Sequence, residues 1–141
     1  MKNKIFFIIV VFVLFGCNGF IIKKQVVKDY YLTAPDVEEQ LSLSYHTSND
    51  GDSYGTIVGE TVFAIGFNDK YIIVKQHPWT YPNPPDTTQT NYYILPLKNG
   101  MDWKSKNGLM GPLTLEQFNE KCIELNMSKD LSFTNVSEIL K

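Results

Sequence analysis

The chain has 141 residues, with 13 lysines, no arginine, 15 aspartates and glutamates, and a formal net charge of −2. Arginine is the usual bidentate reader of phosphate and guanine. An acidic chain without it lacks the footprint of a nucleic-acid binder, so no nucleic-acid partner is expected.

The first element in chain order reads as a secretory leader. Lys2 and Lys4 precede eleven unbroken apolar residues, 5–15, and then Gly16-Cys17. A basic start, a short apolar core and a small residue before the cut are what a signal peptide needs. Eleven residues fall short of the roughly 20 that cross a bilayer as a helix. Leu14-Phe15-Gly16-Cys17 is lipobox-like, although Phe15 is bulkier than usual at its position. Residues 1–16 are therefore expected to be removed and Cys17 to carry lipid, which places the protein at a membrane outside the cytoplasm. An uncleaved anchor over residues 5–22 is the competing reading, interrupted by Gly16, Asn18 and Gly19. Two or more acyl chains hold a protein stably at a membrane where one does not.

Removing residues 1–16 leaves 125 residues, enough for one domain with its own core. Eleven lysines against fifteen acids then give a net charge of −4. With Cys17 lipidated, Cys122 has no disulfide partner within the chain.

Residues 17–28 read as a lipidated tether bearing Lys23, Lys24 and Lys28, and residues 29–141 as the single domain. Five strands are expected. Residues 30–33 are short and rich in strand formers. Residues 41–46 alternate, with Leu41, Leu43 and Tyr45 on one face and Ser42, Ser44 and His46 on the other, which predicts a half-solvated strand. Residues 56–67 form the third, with Gly59 as a bulge or break. Asn68-Asp69 is a turn and residues 71–76 follow at once, so residues 61–76 form a hairpin. Residues 91–97 are the fifth, with Pro96 at an edge or end because it cannot donate to a ladder.

One helix is clearly marked. Gly111-Pro112 breaks the chain before it, Thr114 and Gln117 make a capping box, and Leu113 and Phe118 occupy staple positions. Leu115, Phe118, Cys122 and Leu125 recur at helical spacing over residues 115–126. Cys122 lies in that apolar stripe and reads as a small core residue. Residues 131–133 are expected to add a short strand, and Asn135 to cap a terminal turn over residues 136–140. The expected fold is α+β, an antiparallel β-meander of about five strands with one C-terminal helix packed on one face.

The lipobox, Ile65-Gly66 leading into Tyr71-Ile72-Ile73-Val74-Lys75-Gln76, Asn91-Tyr92-Tyr93-Ile94-Leu95, and Gly111-Pro112-Leu113-Thr114 before a Phe-containing helix form a combination. It resembles small uncharacterised bacterial lipoproteins that share a domain of unknown function. The resemblance covers most of residues 30–131. It implies the fold and the address and transfers no activity.

No catalytic set emerges from the sequence. Zinc needs three or four convergent ligands, and His46 and His77 stand alone, so no metal is expected. Asn49-Asp50-Gly51-Asp52-Ser53 resembles a calcium loop but lacks the closing Glu, since Thr61 stands where it should be. There is no nucleophile elbow and no phosphate loop, and Ser44 beside His46 follows from strand alternation. Glu38-Glu39 reads as a solvated pair. No cofactor is implied.

The stretch 77–86 stands out. It holds His77, Trp79, Tyr81 and four of the seven prolines, so it is a stiff aromatic loop that would bind at low entropic cost. The alternative is that Trp79 and Tyr81 fold back over the sheet. Trp103, in the loop 98–111, is a further candidate for the same surface. The expected function is a membrane-anchored, non-enzymatic binding or interaction module of the cell envelope, with the membrane bound through Cys17 and an envelope protein as partner. The alternatives are a small envelope hydrolase using His46 or His77 with a carboxylate, and an immunity-type lipoprotein that neutralises a toxin.

Overall fold

The computed structural model describes residues 19–48, 51, 53–97, 101, 102 and 104–141. Cys17, the leader and Trp103 lie outside the described residues, as do Asn49, Asp50 and Asp52 of the calcium-like loop.

The α+β class and the antiparallel meander hold, and the described strands form two sheets. The first is β1 (Ile22–Val27), β2 (Tyr30–Ala34), β3 (Ser42–Thr47) and β4 (Ser53–Val58), side by side in that order. The second comprises β5 (Val62–Phe67), β6 (Tyr71–Gln76), β7 (Asn91–Pro96), β8 (Met110–Leu113) and β9 (Thr134–Asn135), in the order β8-β7-β6-β5-β9. Helix α1 (Leu115–Glu124) follows β8, and a single turn, α2 (Val136–Ile139), follows β9.

The second sheet is a middle layer. Ile65, Ile72, Val74 and Leu95 share a core with Leu32, Leu43, Ile57 and Val58 of the first sheet. Ile73 and Ile94, on the opposite face, pack with Phe118 of α1. This explains why residues 71–74 are apolar without alternation: a strand covered on both faces has no solvent side.

The tether expected over residues 17–28 is corrected in its second half. Ile22–Val27 is an edge strand paired antiparallel with β2, and Lys28, at φ 51°, turns the hairpin. Its interior Lys-Lys-Gln masks the strand pattern in sequence. Exposed lysines on an edge strand discourage pairing with another chain. The half-solvated reading of residues 41–46 is also corrected. Ser42 and Ser44 are buried, and the Ser44 hydroxyl lies 2.7 Å from that of Thr33 on the neighbouring strand. Gly59 is a break, and the chain changes sheets there, between β4 and β5.

The hairpin at residues 61–76 forms as β5 and β6. Its turn is built by the Asn68 carboxamide oxygen, which accepts from the amides of Lys70 and Tyr71, both at 2.9 Å. Pro96 ends β7. Pro112, expected to break the chain, lies in the short edge strand β8. Thr114 Oγ1 accepts from the Gln117 amide, and the Gln117 side chain accepts from the Thr114 amide at 2.9 Å, completing the capping box. The helix stops at Glu124 because Asn126 takes φ 47°. Its amide donates to the Ile123 carbonyl and that of Met127 to the Cys122 carbonyl, a Schellman closure. Leu115, expected in the apolar stripe, is exposed at the first turn, and Phe118 is the buried residue of α1. The strand expected at residues 131–133 falls instead at Thr134–Asn135. The turn α2 follows Asn135 without a side-chain cap.

Gly66 marks the close approach that seats this C-terminal segment. A Cβ there would lie 2.1 Å from the Ser132 carbonyl oxygen and 2.9 Å from its carbon. Both are backbone atoms, so relief requires moving the strand or the segment. Gly66→Ala should therefore lower the urea midpoint by the equivalent of about 1–3 kcal/mol and speed amide exchange over residues 131–135. A midpoint equal to wild type would refute the close approach.

Tyr30 supplies a pH-dependent term. Its side chain is buried, its hydroxyl has no hydrogen-bond partner among the described residues, and burial, with Tyr45 and Asp29 adding, pushes its pKa from 10.0 up to about 12. The fold thus favours the neutral phenol. The stabilisation is complete below pH 10 and is lost as pH rises from 10 through about 12. Tyr30→Phe should match or exceed wild-type stability at pH 7, because a buried unmade hydrogen bond is removed. It should also flatten the loss of stability between pH 10 and 12, read as urea midpoints across that range. Parallel profiles for the two proteins would sink the assignment.

Candidate functional site

The loop between β6 and β7 is closed by its own hydrogen bonds. The Asp86 amide donates to the Pro78 carbonyl at 2.8 Å, and the Trp79 indole N–H donates to the Asn83 carbonyl at 2.6 Å. The Asp86 carboxylate accepts from the Thr88 hydroxyl, the Thr88 amide and the Gln89 side chain. The bond from the Thr88 hydroxyl leads in holding its pKa below the usual carboxylate value. Trp79 is thus half-buried against its own loop, meeting Tyr81 edge-on at 6.4 Å, while Tyr81 is 82% exposed.

His77 is placed differently from the other candidates. Its ring stacks on Phe63 with centroids 4.0 Å apart and planes 10° from parallel. Its Nδ1 lies 2.9 Å from the Gln89 carbonyl oxygen. A carbonyl only accepts, so Nδ1 carries the hydrogen. Phe63 reaches this position through a bulge: Val62 pairs with Gln76 and Ala64 with Lys75, leaving Phe63 as the extra residue. Bulges re-aim side chains in this way.

Thr61 forms the base of the arrangement. It is buried, and its φ is 70°, a region that a β-branched residue rarely adopts. Its amide donates to the Glu39 carbonyl at 3.0 Å, its carbonyl accepts from the His77 amide at 3.2 Å, and its hydroxyl donates to the His77 carbonyl. The left-handed backbone costs about 1–2 kcal/mol. Three hydrogen bonds, each contributing about 0.5–1.5 kcal/mol net, offset it.

These elements enclose a cleft of about 290 Å³ lined by Glu38, Glu39, Leu41, Thr61, Val62, Phe63, His77, Pro85, Thr87 and Val136. Of the candidate loop residues His77, Trp79 and Tyr81, all described, the cleft takes in His77. Trp79 and Tyr81 sit in the loop whose Pro85 and Thr87 form one wall. Glu38, Glu39, Thr61 and Phe63 were not legible as site residues. Glu38-Glu39 reads as an ordinary polar turn, which it also is, opening the 3-10 turn Glu38–Gln40.

The two histidines are not brought together. His46 lies on the first sheet against Tyr54 and Tyr31, with ring centroids at 4.9 and 6.0 Å. Among the described residues no group of three or more His, Cys, Asp or Glu is placed to hold a metal. Cys122 is half-buried against the α1 core, and burial raises its thiol pKa, which disfavours the nucleophilic thiolate.

The strain at Thr61 can be tested by ordering two variants. Thr61→Ala keeps the unfavourable φ and loses the hydroxyl; Thr61→Gly loses the hydroxyl and relieves the φ. Thr61→Ala should be the less stable of the two by about 1 kcal/mol, measured by urea unfolding. The reverse order would show that Thr61 is unstrained.

Comparison with curated proteins returned no match, and comparison with solved structures returned none. Residues 27–137 match the family described as Protein of unknown function (DUF3997). That span covers every residue lining the cleft, from Glu38 to Val136. The chain belongs to this family of unknown function, and the cleft lies wholly within its family domain.

Proposed function

We propose that the protein is a membrane-anchored envelope lipoprotein, held by lipid on Cys17, that acts as a non-enzymatic binding module. The leader in the sequence supports the address. The observation that carries the binding role is the cleft lined by the stacked Phe63 and His77 and walled by a loop that its own hydrogen bonds and prolines hold in shape. A preformed concave surface binds with little ordering cost. A partner protein of the envelope would meet the exposed Tyr81 of this loop and fill the cleft that Pro85 and Thr87 of the same loop help to wall.

A second reading, a small hydrolase, is favoured by His77 sharing the cleft with Glu38 and Glu39. It ranks second because His77 Nδ1 faces the Gln89 carbonyl, where a catalytic base would meet an orienting carboxylate.

Two measurements test the proposal. Metabolic labelling with palmitate should mark the wild type, and Cys17→Ala should lose both the label and membrane retention. In crosslinked co-purification from native membranes, Tyr81→Ala and Phe63→Ala, each verified as folded, should recover a wild-type partner at least tenfold less well. An unlabelled wild type would refute the anchor. Undiminished recovery by both variants would refute the binding surface. A folded protein whose hydrolytic activity disappears in His77→Ala would promote the second reading.

A further inference from the structure

The chemistry of the cleft goes further and names what it would hold. Its apolar lining consists of Phe63 and Pro85, which are partly exposed, over the buried Leu41, Val62 and Val136. Its charged lining residues are Glu38 and Glu39, both exposed at the rim, and no lysine is among the described residues that line it. A cleft of about 290 Å³ with an apolar lining and a carboxylate rim matches a long basic side chain. Lysine has a four-carbon apolar stem that covers hydrophobic surface while its ammonium stays in contact with water or an acid. An aromatic face adds a further attraction for a cation, and the Phe63–His77 stack supplies one at the cleft.

The two glutamates are not equivalent. Glu38 also borders a second groove, lined in part by Lys23, Lys24 and Lys141. Glu39 lines the cleft alone of the two grooves, and its carbonyl accepts the Thr61 amide at 3.0 Å. The same strained residue that holds His77 therefore fixes the backbone of Glu39. From this geometry we infer that the cleft is a lysine-side-chain site: it takes the apolar stem against Phe63 and Pro85 and the ammonium at Glu39, from a lysine presented on a partner polypeptide. The inference rests on the binding-module reading and specifies the partner's chemistry.

The test is titration calorimetry on the full, lipidated chain in detergent, with three blocked peptides that differ at one central residue: lysine, norleucine or acetyl-lysine. n-Butylammonium is the fourth probe and separates a free small amine from a lysine held in a peptide. The lysine peptide should bind at least tenfold more tightly than the norleucine and acetyl-lysine peptides and more tightly than n-butylammonium. Added salt should weaken it. Glu39→Gln, which lies on an exposed turn and should fold normally, should reduce lysine-peptide affinity about fivefold to tenfold and leave norleucine binding unchanged. Equal binding of lysine and norleucine peptides overturns the inference, as does indifference to Glu39→Gln, or n-butylammonium binding as tightly as the peptide. So does the absence of binding by any probe to the folded chain. If lysine peptides fail while partner recovery from membranes still depends on Phe63, the binding-module reading stands and the lysine assignment falls. If neither depends on the cleft, both fall.

Discussion

The structure depends on how the chain passes from one sheet to the other. After β4 it must leave the first sheet at Gly59 and enter the second at Val62, within three residues. The turn that does this puts Thr61 at φ 70°. Thr61 holds that conformation because its surroundings specify it on three sides: the Glu39 carbonyl, the His77 amide and the His77 carbonyl. The Val62 amide then donates to the Leu41 carbonyl at 2.9 Å, extending the seam between the sheets. A residue in a sparsely populated region persists only where neighbours over-determine it. Here the neighbours are the 3-10 turn and the end of β6, and the consequence is to bring Glu39 and His77 to the same place.

The remaining layers follow from that crossing. Once β5 starts the second sheet, the β5–β6–β7 meander lies against the first sheet through Ile65, Ile72, Val74 and Leu95. Its outer face must then be covered. Helix α1 covers one part with Phe118, while Leu131 and Phe133 of the C-terminal segment cover another. Lys75 lies over the Phe133 ring, its Nζ 4.4 Å from the centroid, so a charged side chain shields the end of that apolar layer. Glycine is required where backbones meet: at Gly66 under Ser132, and at Gly111, whose φ of 136° and closeness to Tyr93 leave no room for a side chain.

Local features were legible in the sequence and long-range ones were not. The capping box at Thr114 and Gln117, the turn at Asn68 and the break at Gly59 are each decided within a few residues, and each stands in the structure. The run at residues 71–74 disclosed a strand but could not disclose that both of its faces are covered. Strand β1 was hidden by its own lysines, since an edge strand needs no alternation and gains from charge. Ser42 and Ser44 looked solvent-facing because a serine reads as polar, whether or not another residue covers it. The site divides in the same way. His77, Trp79 and Tyr81 were visible because composition marks a stiff aromatic loop. Thr61 and Phe63 were invisible, because a left-handed threonine and a one-residue bulge depend on which strands pair. Trp103 and Cys17 lie outside the described residues.

The position of the cleft at the sheet crossing has a physical rationale. Residues inside a sheet are fixed by ladder partners on both sides and cannot be aimed elsewhere. At the crossing the ladder is interrupted, so Phe63 can leave the register and Glu39 can approach from a turn. That freedom would ordinarily cost order. It does not here, because Thr61 and His77 exchange hydrogen bonds and His77 is in turn held by Gln89. The result is a concave surface whose polar groups come from three separate segments yet share one hydrogen-bonded base. Binding at such a surface leaves little backbone to order. The strained Thr61 thereby ties the backbone of Glu39 to that of His77 at the crossing.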